Sequence, residues 1–305
     1  MSLIVTGSIG IDSVDSPMGN ADDVLGGSCS YFAAAASFFV PVRLVGAVGN
    51  DFPNSFMDVL RHFDIDLAGL EKRHESKTFR WHGRYHENIN IRDTVDVQLN
   101  VLGETLPSIP SAYKGSQYVF LANTDPASQM EMLDQFPDCH LAVADTMDLW
   151  INNEKTKLMQ LLERLDGLVL NDDEARQLAD DSNLIRAAEK IIAMGPKFVI
   201  IKKGEHGALI EYAGARVVLP AFPARDVIDP TGAGDSFAGG LMGYLAATCS
   251  GSEISMRQLR RAMAYGTIVA SFNIESFSLD RLSQSARKDI DERFNRYSEM
   301  LELSK

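Results

Sequence analysis

Short apolar runs alternate with amphipathic stretches along most of the chain. Apolar runs bounded by polar residues or glycine predict buried strands, and they lie at 3–7, 42–48, 118–122, 141–144, 168–170 and 198–201. Helical composition or spacing predicts helices at 30–39, 54–63, 128–136, 153–165 and 183–194. Strands that alternate with helices indicate an α/β fold with a mainly parallel sheet and helices on both faces. Such sheets bind ligands at the carboxyl ends of their strands.

The segment 78–101 has a different pattern, because it alternates and has no helical stripe. We predict antiparallel strands of a small appended sheet over about 76–102, joined by residues of about 13–25. Phe79, Trp81 and Tyr85 occupy odd positions, so on one strand their rings share a face. That face either stacks on a ligand or forms the underside of the small sheet, or a contact between the small sheets of a homodimer.

The last third of the chain is predicted to be mostly helical. Ser255 and Gln258 have the spacing of a capping box, and apolar residues from Met256 to Phe272 mark the buried side of a long helix. The longest apolar stretch, 237–247, is too short to cross a bilayer, which needs about 20 residues. We therefore expect no membrane partner.

Composition narrows the possible partners and the compartment. With 29 Lys and Arg against 42 Asp and Glu, the net charge of −13 argues against nucleic-acid binding, which needs a basic face. The 305 residues fit one large domain over 1–305. Three cysteines, far apart and without a Cys-x-x-Cys pair, indicate reduced thiols rather than a zinc site. The chain opens on a predicted strand rather than a signal peptide, so we expect a cytoplasmic protein.

The strongest chemical signal is the string Asp-Pro-Thr-Gly-Ala-Gly-Asp at 229–235, followed at once by an apolar helical run. Gly232, Ala233 and Gly234 let backbone N–H groups approach a ligand closely. A small-residue turn that opens a helix is an anion site. Asp235 would repel a phosphate there unless it accepts a proton from an attacking hydroxyl group.

Simpler structural roles also fit this string. Asp235 could cap the helix and the glycines could allow close packing. No Gly-x-x-x-x-Gly-Lys-Ser/Thr string and no Gly-x-Ser-x-Gly string occurs in the chain. Those absences remove a P-loop enzyme and the simplest serine hydrolase from consideration.

Several short strings follow one another in the order found in a known family. They are Gly7-Ser-Ile-Gly-Ile-Asp12, the pair Gly26-Gly27, Gly46-Ala-Val-Gly-Asn-Asp51, Asn171-Asp-Asp-Glu174, Lys203-Gly-Glu-His-Gly207 and the string that ends at Asp235. On these motifs the chain resembles the ribokinase-like family of small-molecule kinases, the PfkB carbohydrate kinases, over nearly its whole length. The resemblance implies a doubly wound α/β domain with a small β-sheet lid.

The resemblance also implies an acceptor site. Asp12 would accept hydrogen bonds from vicinal sugar hydroxyls, although Asp is also common in turns. The backbone of Gly26 and Gly27 would pack on the substrate. The family usually has Asn four residues after the second glycine, where this chain has Tyr31. One polar contact is therefore missing or replaced, which weakens any transfer of sugar specificity.

The nucleotide and metal sites are implied in the same way. Glu174 and Asn171 would order Mg²⁺ through water, although they also have the spacing of a capping box. A second group would bind ATP, and its residues are Lys203, Gly204, Gly207 and Thr231. Asp229 would help to build a monovalent-cation site, with K⁺ as the candidate ion.

These implications give a mechanism but leave the acceptor open. Asp235 takes the proton of a hydroxymethyl group as the γ-phosphoryl of ATP is transferred, and the amides of the glycine turn stabilise its charge. Trp81 and Tyr31 favour a ribonucleoside as the acceptor. A free sugar and a sugar phosphate held by Arg80, Arg84 or Arg92 remain alternatives. A non-catalytic ligand-binding module is the alternative from another class.

Overall fold

The computed structural model describes residues 2–251 and 253–302. Its strands, in chain order, are β1 Leu3–Thr6, β2 Gly10–Ser16, β3 Gly19–Gly26, β4 Val42–Gly49, β5 Asp66–Arg73, β6 Phe79–Tyr85, β7 Arg92–Gln98, β8 Tyr118–Leu121, β9 Leu141–Asp145, β10 Gly167–Asn171, β11 Phe198–Lys202, β12 Ala208–Tyr212 and β13 Ala215–Leu219. Its α-helices are α1 Ser28–Ser37, α2 Asn54–His62, α3 Pro126–Leu133, α4 Asp148–Asn153, α5 Lys155–Leu162, α6 Asp172–Ala179, α7 Leu184–Ala193, α8 Ala233–Thr248, α9 Met256–Asn273, α10 Asp280–Ser283 and α11 Arg287–Leu301.

Nine strands form the main sheet in the order β13-β12-β11-β10-β9-β8-β1-β4-β5. The seven strands from β11 to β5 are parallel, which confirms the predicted mainly parallel sheet. The sequence analysis missed the antiparallel hairpin of β12 and β13 at one edge. The turn of this hairpin is Ala213-Gly214, with both φ values positive. Turns of this kind usually carry Asn-Gly or Asp-Gly, so the usual sequence signal was absent.

Alternate residues of the parallel strands enter two separate cores. Phe198 and Ile200 of β11 pack in the core that includes α1, α8 and α9, whereas Val199 and Ile201 pack in the core that includes α3, α5, α6 and α7. This two-sided burial explains why the strands are continuous apolar runs in the sequence. The side of the sheet that a strand residue faces therefore follows from its position in the alternation.

Four strands form the small sheet in the order β3-β2-β6-β7. The two outer pairs are antiparallel as predicted, but β2 and β6 are parallel, with Asp12 beside Trp81. The parallel pairing of β2 with β6 was not predicted. The chain runs through α1, β4, α2 and β5 of the main body between β2 and β6, and so long a connection allows a parallel pairing that a hairpin cannot form.

The predicted helix at 153–165 corresponds to α5, and the short helix α4 just before it was not predicted. Glu154 lies between them with φ −127° and ψ 30°, outside the helical region. The expected capping box of α9 is present in full, because Ser255 and Gln258 each bond the other's backbone amide. Cys29, Cys139 and Cys249 are free thiols. Within residues 2–251 and 253–302, none of the helices has both the length and the apolar character needed to span a bilayer.

Candidate active site

A cavity of about 1640 Å³ opens where the carboxyl ends of the main-sheet strands meet the small sheet. The strand ends contribute Thr6, Asp145, Asn171 and Lys202 to its wall. The opposite wall is formed by side chains of β6 and β7. Its location agrees with the general rule that open parallel sheets bind ligands at the carboxyl ends of their strands.

The turn at 230–234 forms one end of the cavity and leads into α8. Gly232 has φ 73° and ψ 0°, a left-handed conformation that favours glycine. The Ala233 amide donates to the Pro230 carbonyl at 3.1 Å, and the Ser236 amide donates to the Gly232 carbonyl at 2.8 Å. Within the described chain, the amides of Gly232 and Gly234 donate to no backbone carbonyl. They are the donors available to an anion, whereas the Ala233 amide is already engaged.

Asp235 lies in the first turn of α8, in the wall of this cavity. Burial raises the pKa of its carboxyl to about 6, although the charges of Lys202 and Arg92 and its own amide lower it. A carboxyl with a pKa near 6 is mostly ionised at neutral pH and still basic enough to accept a proton. The position and the acidity of Asp235 therefore suit a general base.

Asn273, the last residue of α9, holds the turn at 230–234, which we call the anion turn. Its side-chain amide donates to the Thr231 carbonyl at 2.8 Å, and its Oδ1 lies 3.1 Å from the Ser236 hydroxyl. Asn273 is buried, and so is its bond with Ser236. The sequence analysis did not find this residue, because it is some forty positions from the turn that it holds.

Asp12 and Tyr31 line another part of the cavity wall. Asp12 is buried, its Oδ1 has no hydrogen-bond partner, and burial raises its pKa to about 7. A Cβ at position 26 would lie 1.9 Å from Asp12 Oδ2, so Gly26 provides the space for this carboxylate. Gly27 lines the cavity directly. The Tyr31 hydroxyl is also buried without a partner. A carboxylate acceptor and a phenol donor are thus both available to a polyhydroxylated ligand.

The small sheet supplies the aromatic wall that the alternation predicted. Phe79, Trp81 and Tyr85 all line the cavity. The Tyr85 hydroxyl lies 3.1 Å from the Thr231 hydroxyl, so the small sheet contacts the anion turn directly. The guanidinium of Arg92 lies 5.2 Å from the centre of the Trp81 ring.

The three arginines of the small sheet have different surroundings. Arg80 pairs with Asp23 at 2.6 Å, and Arg84 pairs with Asp15 at 3.2 Å. Arg92 lines the cavity, and its charge lowers the pKa of Asp235. Of the three arginines considered for a sugar phosphate, Arg92 is the one positioned to meet a ligand.

The carboxyls of Asp145, Glu174 and Asp235 lie near one another, where the strand ends meet the start of α6 and α8. Glu174 and Asn171 form a complete capping box, with Glu174 Oε2 2.7 Å from the Asn171 amide. Asp145, which the sequence analysis missed, is buried at the end of β9, and its Oδ1 has no partner. Burial and the charge of Asp235 raise the pKa of Asp145, and burial raises the pKa of Glu174.

These groups fit a hydrated divalent cation. Such a cation would neutralise carboxylate charge and would give the unpartnered oxygen of Asp145 a partner. Among residues 2–251 and 253–302, no three carboxylate, imidazole or thiolate side chains form a metal cluster. A Mg²⁺ ion here would complete its shell with water and phosphate oxygens, which is its usual preference.

The loop after β11 was predicted to bind nucleotide. Gly204 and Gly207 line the cavity, but the lysine in its wall is Lys202 rather than Lys203. Lys202 shares the face of Phe198 and Ile200, because strand residues alternate between the two sides of the sheet. The alternation was visible in the sequence, but the side of the sheet that meets α8 was not.

The remaining predicted residues are Thr231, in the anion turn, and Asp229, just before it. Thr231 lines the cavity, and its amide donates to Asp229 Oδ1 at 2.8 Å. Asp229 is buried, its Oδ2 has no partner, and burial raises its pKa. A buried carboxylate oxygen without a partner fits a cation ligand behind the turn.

Comparisons with known proteins agree with this architecture. The family model described as pfkB family carbohydrate kinase matches residues 24–285. A cytidine kinase of Thermococcus kodakarensis is 28% identical over 250 residues, which are 80% of this chain and 88% of the relative. A nucleoside kinase of Methanocaldococcus jannaschii is 26% identical over 255 residues, covering 81% of this chain and 80% of that protein.

Solved structures share the fold. The crystal structure of the M. jannaschii nucleoside kinase, an archaeal member of the ribokinase family, superposes with a TM-score of 0.76 at 19% identity over 97% of this chain and 98% of that one. A putative ribokinase II of E. coli, solved in complex with ATP and Mg²⁺, superposes with a TM-score of 0.77 at 18% identity, over 97% and 99% of the two chains.

Proposed function

The chain belongs to the pfkB family of carbohydrate kinases, which are phosphotransferases acting on hydroxyl groups, and from that premise we propose that it phosphorylates the hydroxymethyl group of a ribonucleoside with ATP. The observation that carries the proposal is the position of Asp235. Its carboxyl lies at the start of α8, in the wall of a cavity that Asp12 and Lys202 also line. Phosphoryl transfer needs a base beside an anion site, and a ligand-binding module does not.

In the proposed reaction the acceptor is held by Asp12 and Tyr31. The unpartnered oxygen of Asp12 accepts hydrogen bonds from two sugar hydroxyls, and the Tyr31 hydroxyl donates one. Neither of these two oxygens has a hydrogen-bond partner in the protein, so a bound acceptor displaces no protein contact. The main chain of Gly27 closes this end of the site. Holding the acceptor in one orientation lowers the entropic part of the barrier.

Asp235 then accepts the proton of the acceptor hydroxyl as its oxygen attacks the γ-phosphorus. The free amides of Gly232 and Gly234 stabilise the charge of the moving phosphoryl group. Mg²⁺ bound with ATP neutralises charge on the phosphates. Glu174 and Asn171 would hold that ion through water, and the orphaned oxygen of Asp145 faces the same region of the cavity.

The loop after β11 is the proposed contact for the nucleotide. Gly204 and Gly207 line the cavity there. The side-chain amide of Asn90, between β6 and β7, donates to Glu205 Oε1 at 3.0 Å. The small sheet is thus fastened to this loop as well as to the anion turn. This supports its proposed role as a lid that excludes water during transfer.

Two observations support a nucleoside as the acceptor. The cytidine kinase and the nucleoside kinase each cover about four fifths of this chain. Trp81 is also aligned beside Asp12 in the small sheet, so a sugar held by Asp12 brings its base close to the indole ring. A sugar phosphate is the second candidate, because Arg92 lines the cavity.

An ATP-consumption assay against ribonucleosides, pentoses, hexoses and hexose phosphates tests the proposal. We expect turnover with a ribonucleoside and a loss of about 10²-fold to 10⁴-fold in Asp235→Asn, the usual range for a general base. The matched control is Asp226→Asn, an exposed carboxyl in the loop before α8, which should leave turnover unchanged. If Asp235→Asn keeps wild-type turnover, the proposed base is wrong.

The aromatic wall is tested with the same panel. Trp81→Ala should raise KM for the ribonucleoside about tenfold or more, because stacking on a base is worth about 1–3 kcal/mol, and leave KM for ribose nearly unchanged. An equal effect on nucleoside and sugar would mean that Trp81 serves the packing of the small sheet. Turnover of hexose phosphates alone, abolished by Arg92→Met, would favour the second candidate.

Two finer features belong to the same proposal. Asp229 would bind K⁺ behind the anion turn, so replacing K⁺ with Na⁺ should slow the wild-type enzyme and not Asp229→Asn. A homodimer would form through the small sheet, because β7 is an open edge strand and Val95 is exposed on it. Light scattering should then give twice the chain mass, and Val95→Lys should give the mass of one chain.

A further inference from the structure

Lys202 has a position at the anion turn that the roles above leave unused. It is the last residue of β11, and its side chain shares the face of Phe198 and Ile200, towards α8. A Cβ at position 234 would lie 2.7 Å from Lys202 Nζ and 3.7 Å from its Cε. Glycine at 234 therefore allows the ammonium to lie against the first turn of α8, beside the free amides.

The Lys202 ammonium is not paired with any of the acids around it. No ion pair within residues 2–251 and 253–302 includes Lys202, whereas Lys190 and Lys197 contact aspartates at 3.1 Å and 2.7 Å. Its charge nevertheless lowers the pKa of Asp235, Asp145 and Glu174, which burial raises. A cation that is near three carboxyls but lies against an anion-binding turn is arranged to meet the anion of a ligand.

We propose that Lys202 is a catalytic residue whose ammonium binds the phosphoryl group during its transfer, together with the amides of Gly232 and Gly234. The inference rests on the kinase function proposed above. The transferring group spreads its charge over three equatorial oxygens, and lysine acts on such a group as a point charge. Attachment to the end of β11, which pairs with β10 on one side and β12 on the other, keeps this charge in place before the reaction begins.

The step is balanced without any further reactant. The acceptor oxygen forms a bond to the γ-phosphorus, and the bond between that phosphorus and the bridging oxygen breaks. The electron pair of the broken bond leaves with ADP. The proton of the acceptor hydroxyl goes to Asp235, and Lys202 gives up no proton. Lys202 stays in contact with the phosphoryl group as that group moves from donor to acceptor.

Nucleotide binding tests this role without relying on turnover. AMP-PNP carries a γ-phosphoryl group and ADP does not, so calorimetric titration with each in the presence of Mg²⁺ isolates the contact. In Lys202→Met we expect the Kd for AMP-PNP to rise about tenfold or more, the usual loss for a charge-assisted hydrogen bond, and the Kd for ADP to change less than about threefold. Equal changes for the two nucleotides would overturn the proposal.

Three further variants complete the experiment. Lys197→Met removes an exposed lysine just before the opposite end of β11, and it should bind both nucleotides as the wild type does. Lys202→Arg keeps the charge and should keep part of the preference for AMP-PNP. Gly234→Ala retains the lysine but displaces its ammonium, so it should show the same selective loss even if Lys202→Met fails to fold. Wild-type selectivity in Gly234→Ala would overturn the proposed contact.

The result separates this inference from the proposed function. If the wild type phosphorylates no acceptor but Lys202→Met selectively loses AMP-PNP, the acceptor proposal fails and the phosphoryl contact is supported. If the wild type is an active kinase and Lys202→Met keeps both its kcat and its AMP-PNP affinity, the role of Lys202 fails and the kinase proposal stands.

Discussion

At the scale of single residues, the cavity contains three carboxyl groups whose ionised form is disfavoured in the folded chain. Asp12, Asp145 and Asp235 are carboxyls whose pKa burial raises, and Asp12 and Asp145 each keep an oxygen without a partner. A buried carboxylate without a partner costs free energy of folding. The chain retains these groups in one cavity, which is the usual arrangement where stability is given up for reactivity.

Asp235 should set the acid limb of the pH profile. Its pKa of about 6 means that the proton-accepting form is lost as the pH falls below that value, so kcat/KM should fall about tenfold for each further pH unit. Initial rates between pH 4.5 and 8.5, with stability checked at each pH, measure this. A profile flat down to pH 4.5 would contradict the assignment of the base.

The same carboxyl should reduce the stability of the folded chain at neutral pH. Because its folded pKa lies above the ordinary value of 3.8, folding disfavours its charged form at all pH values above about 6, and the cost disappears as the pH falls towards 4. The free energy of unfolding of Asp235→Asn, measured by urea denaturation, should therefore exceed that of the wild type at pH 8 by up to about 3 kcal/mol. Near pH 4 the two should be equally stable. A less stable variant at pH 8 would contradict this sign.

Tyr31 should act on the acceptor rather than on the fold. Its buried hydroxyl has no partner in the protein, so Tyr31→Phe should leave the midpoint of unfolding unchanged or slightly raised. If the hydroxyl donates to the acceptor, KM for the acceptor should rise about fivefold to tenfold while KM for ATP stays constant. A loss of stability with unchanged KM would assign Tyr31 a packing role.

At the scale of elements, the junction between the main body and the small sheet depends on Asp51. Its Oδ1 accepts from the amide and the hydroxyl of Thr78, at 2.7 Å and 2.9 Å, and the Gly49 amide donates to the same hydroxyl at 3.0 Å. Thr78 is fully buried just before β6. The end of β4 and the start of the small sheet are thus held by one carboxylate.

Asp51→Ala should lower the free energy of unfolding by about 1–3 kcal/mol at pH 7, since it leaves the buried Thr78 donors without an acceptor. Burial raises the pKa of Asp51, but the bonds from Thr78 outweigh it and lower the pKa overall. The stabilisation is therefore present at neutral pH, and the difference between variant and wild type should shrink as the pH falls below the ordinary range of Asp. Urea denaturation at pH 7 and at acid pH measures both effects.

The control for that experiment is Asp58→Ala. Asp58 forms an exposed ion pair with Arg61 on α2, and exposed pairs of this kind contribute about 0–1 kcal/mol. If Asp51→Ala costs no more than Asp58→Ala, the carboxylate does not hold the junction.

At the scale of the whole molecule, the two sheets share one cavity, and contacts from Tyr85 and Asn90 join the small sheet to the main body. We therefore expect residues 1–305 to unfold as a single cooperative unit. The chain has two tryptophans, Trp81 in the small sheet and Trp150 in α4 of the main body. Each can report on one part when the other is replaced by Phe.

Fluorescence-monitored urea unfolding of Trp150→Phe and Trp81→Phe should give transitions that each coincide with the loss of helical circular dichroism in the same variant. An earlier fluorescence transition for Trp150→Phe, in which Trp81 reports, would mean that the small sheet unfolds as a separate domain. Both variants need checking against the wild type by circular dichroism, because a replacement can itself lower stability.

The sequence by itself determined the features that depend on local chemistry. Burial on both faces makes a parallel strand a continuous apolar run, so the strands around Val5, Val143 and Ile200 were predictable. The turn at Gly232 and the capping box at Ser255 are set by residues within four positions of each other. The motif order that carries the family resemblance is likewise visible in the sequence alone.

Only the tertiary structure decided which distant residues meet. The parallel pairing of β2 with β6 depends on a path through the main body that no local period records. Asn273 reaches the anion turn through the packing of α9 on α8, and Asp145 joins Glu174 because neighbouring strands end at one edge. The choice of Lys202 over Lys203 depends on which face of β11 meets α8. The local pattern of residues determines each helix or strand. Residues that contact one another across elements are far apart in the sequence, so their contacts depend on the packing of the whole chain.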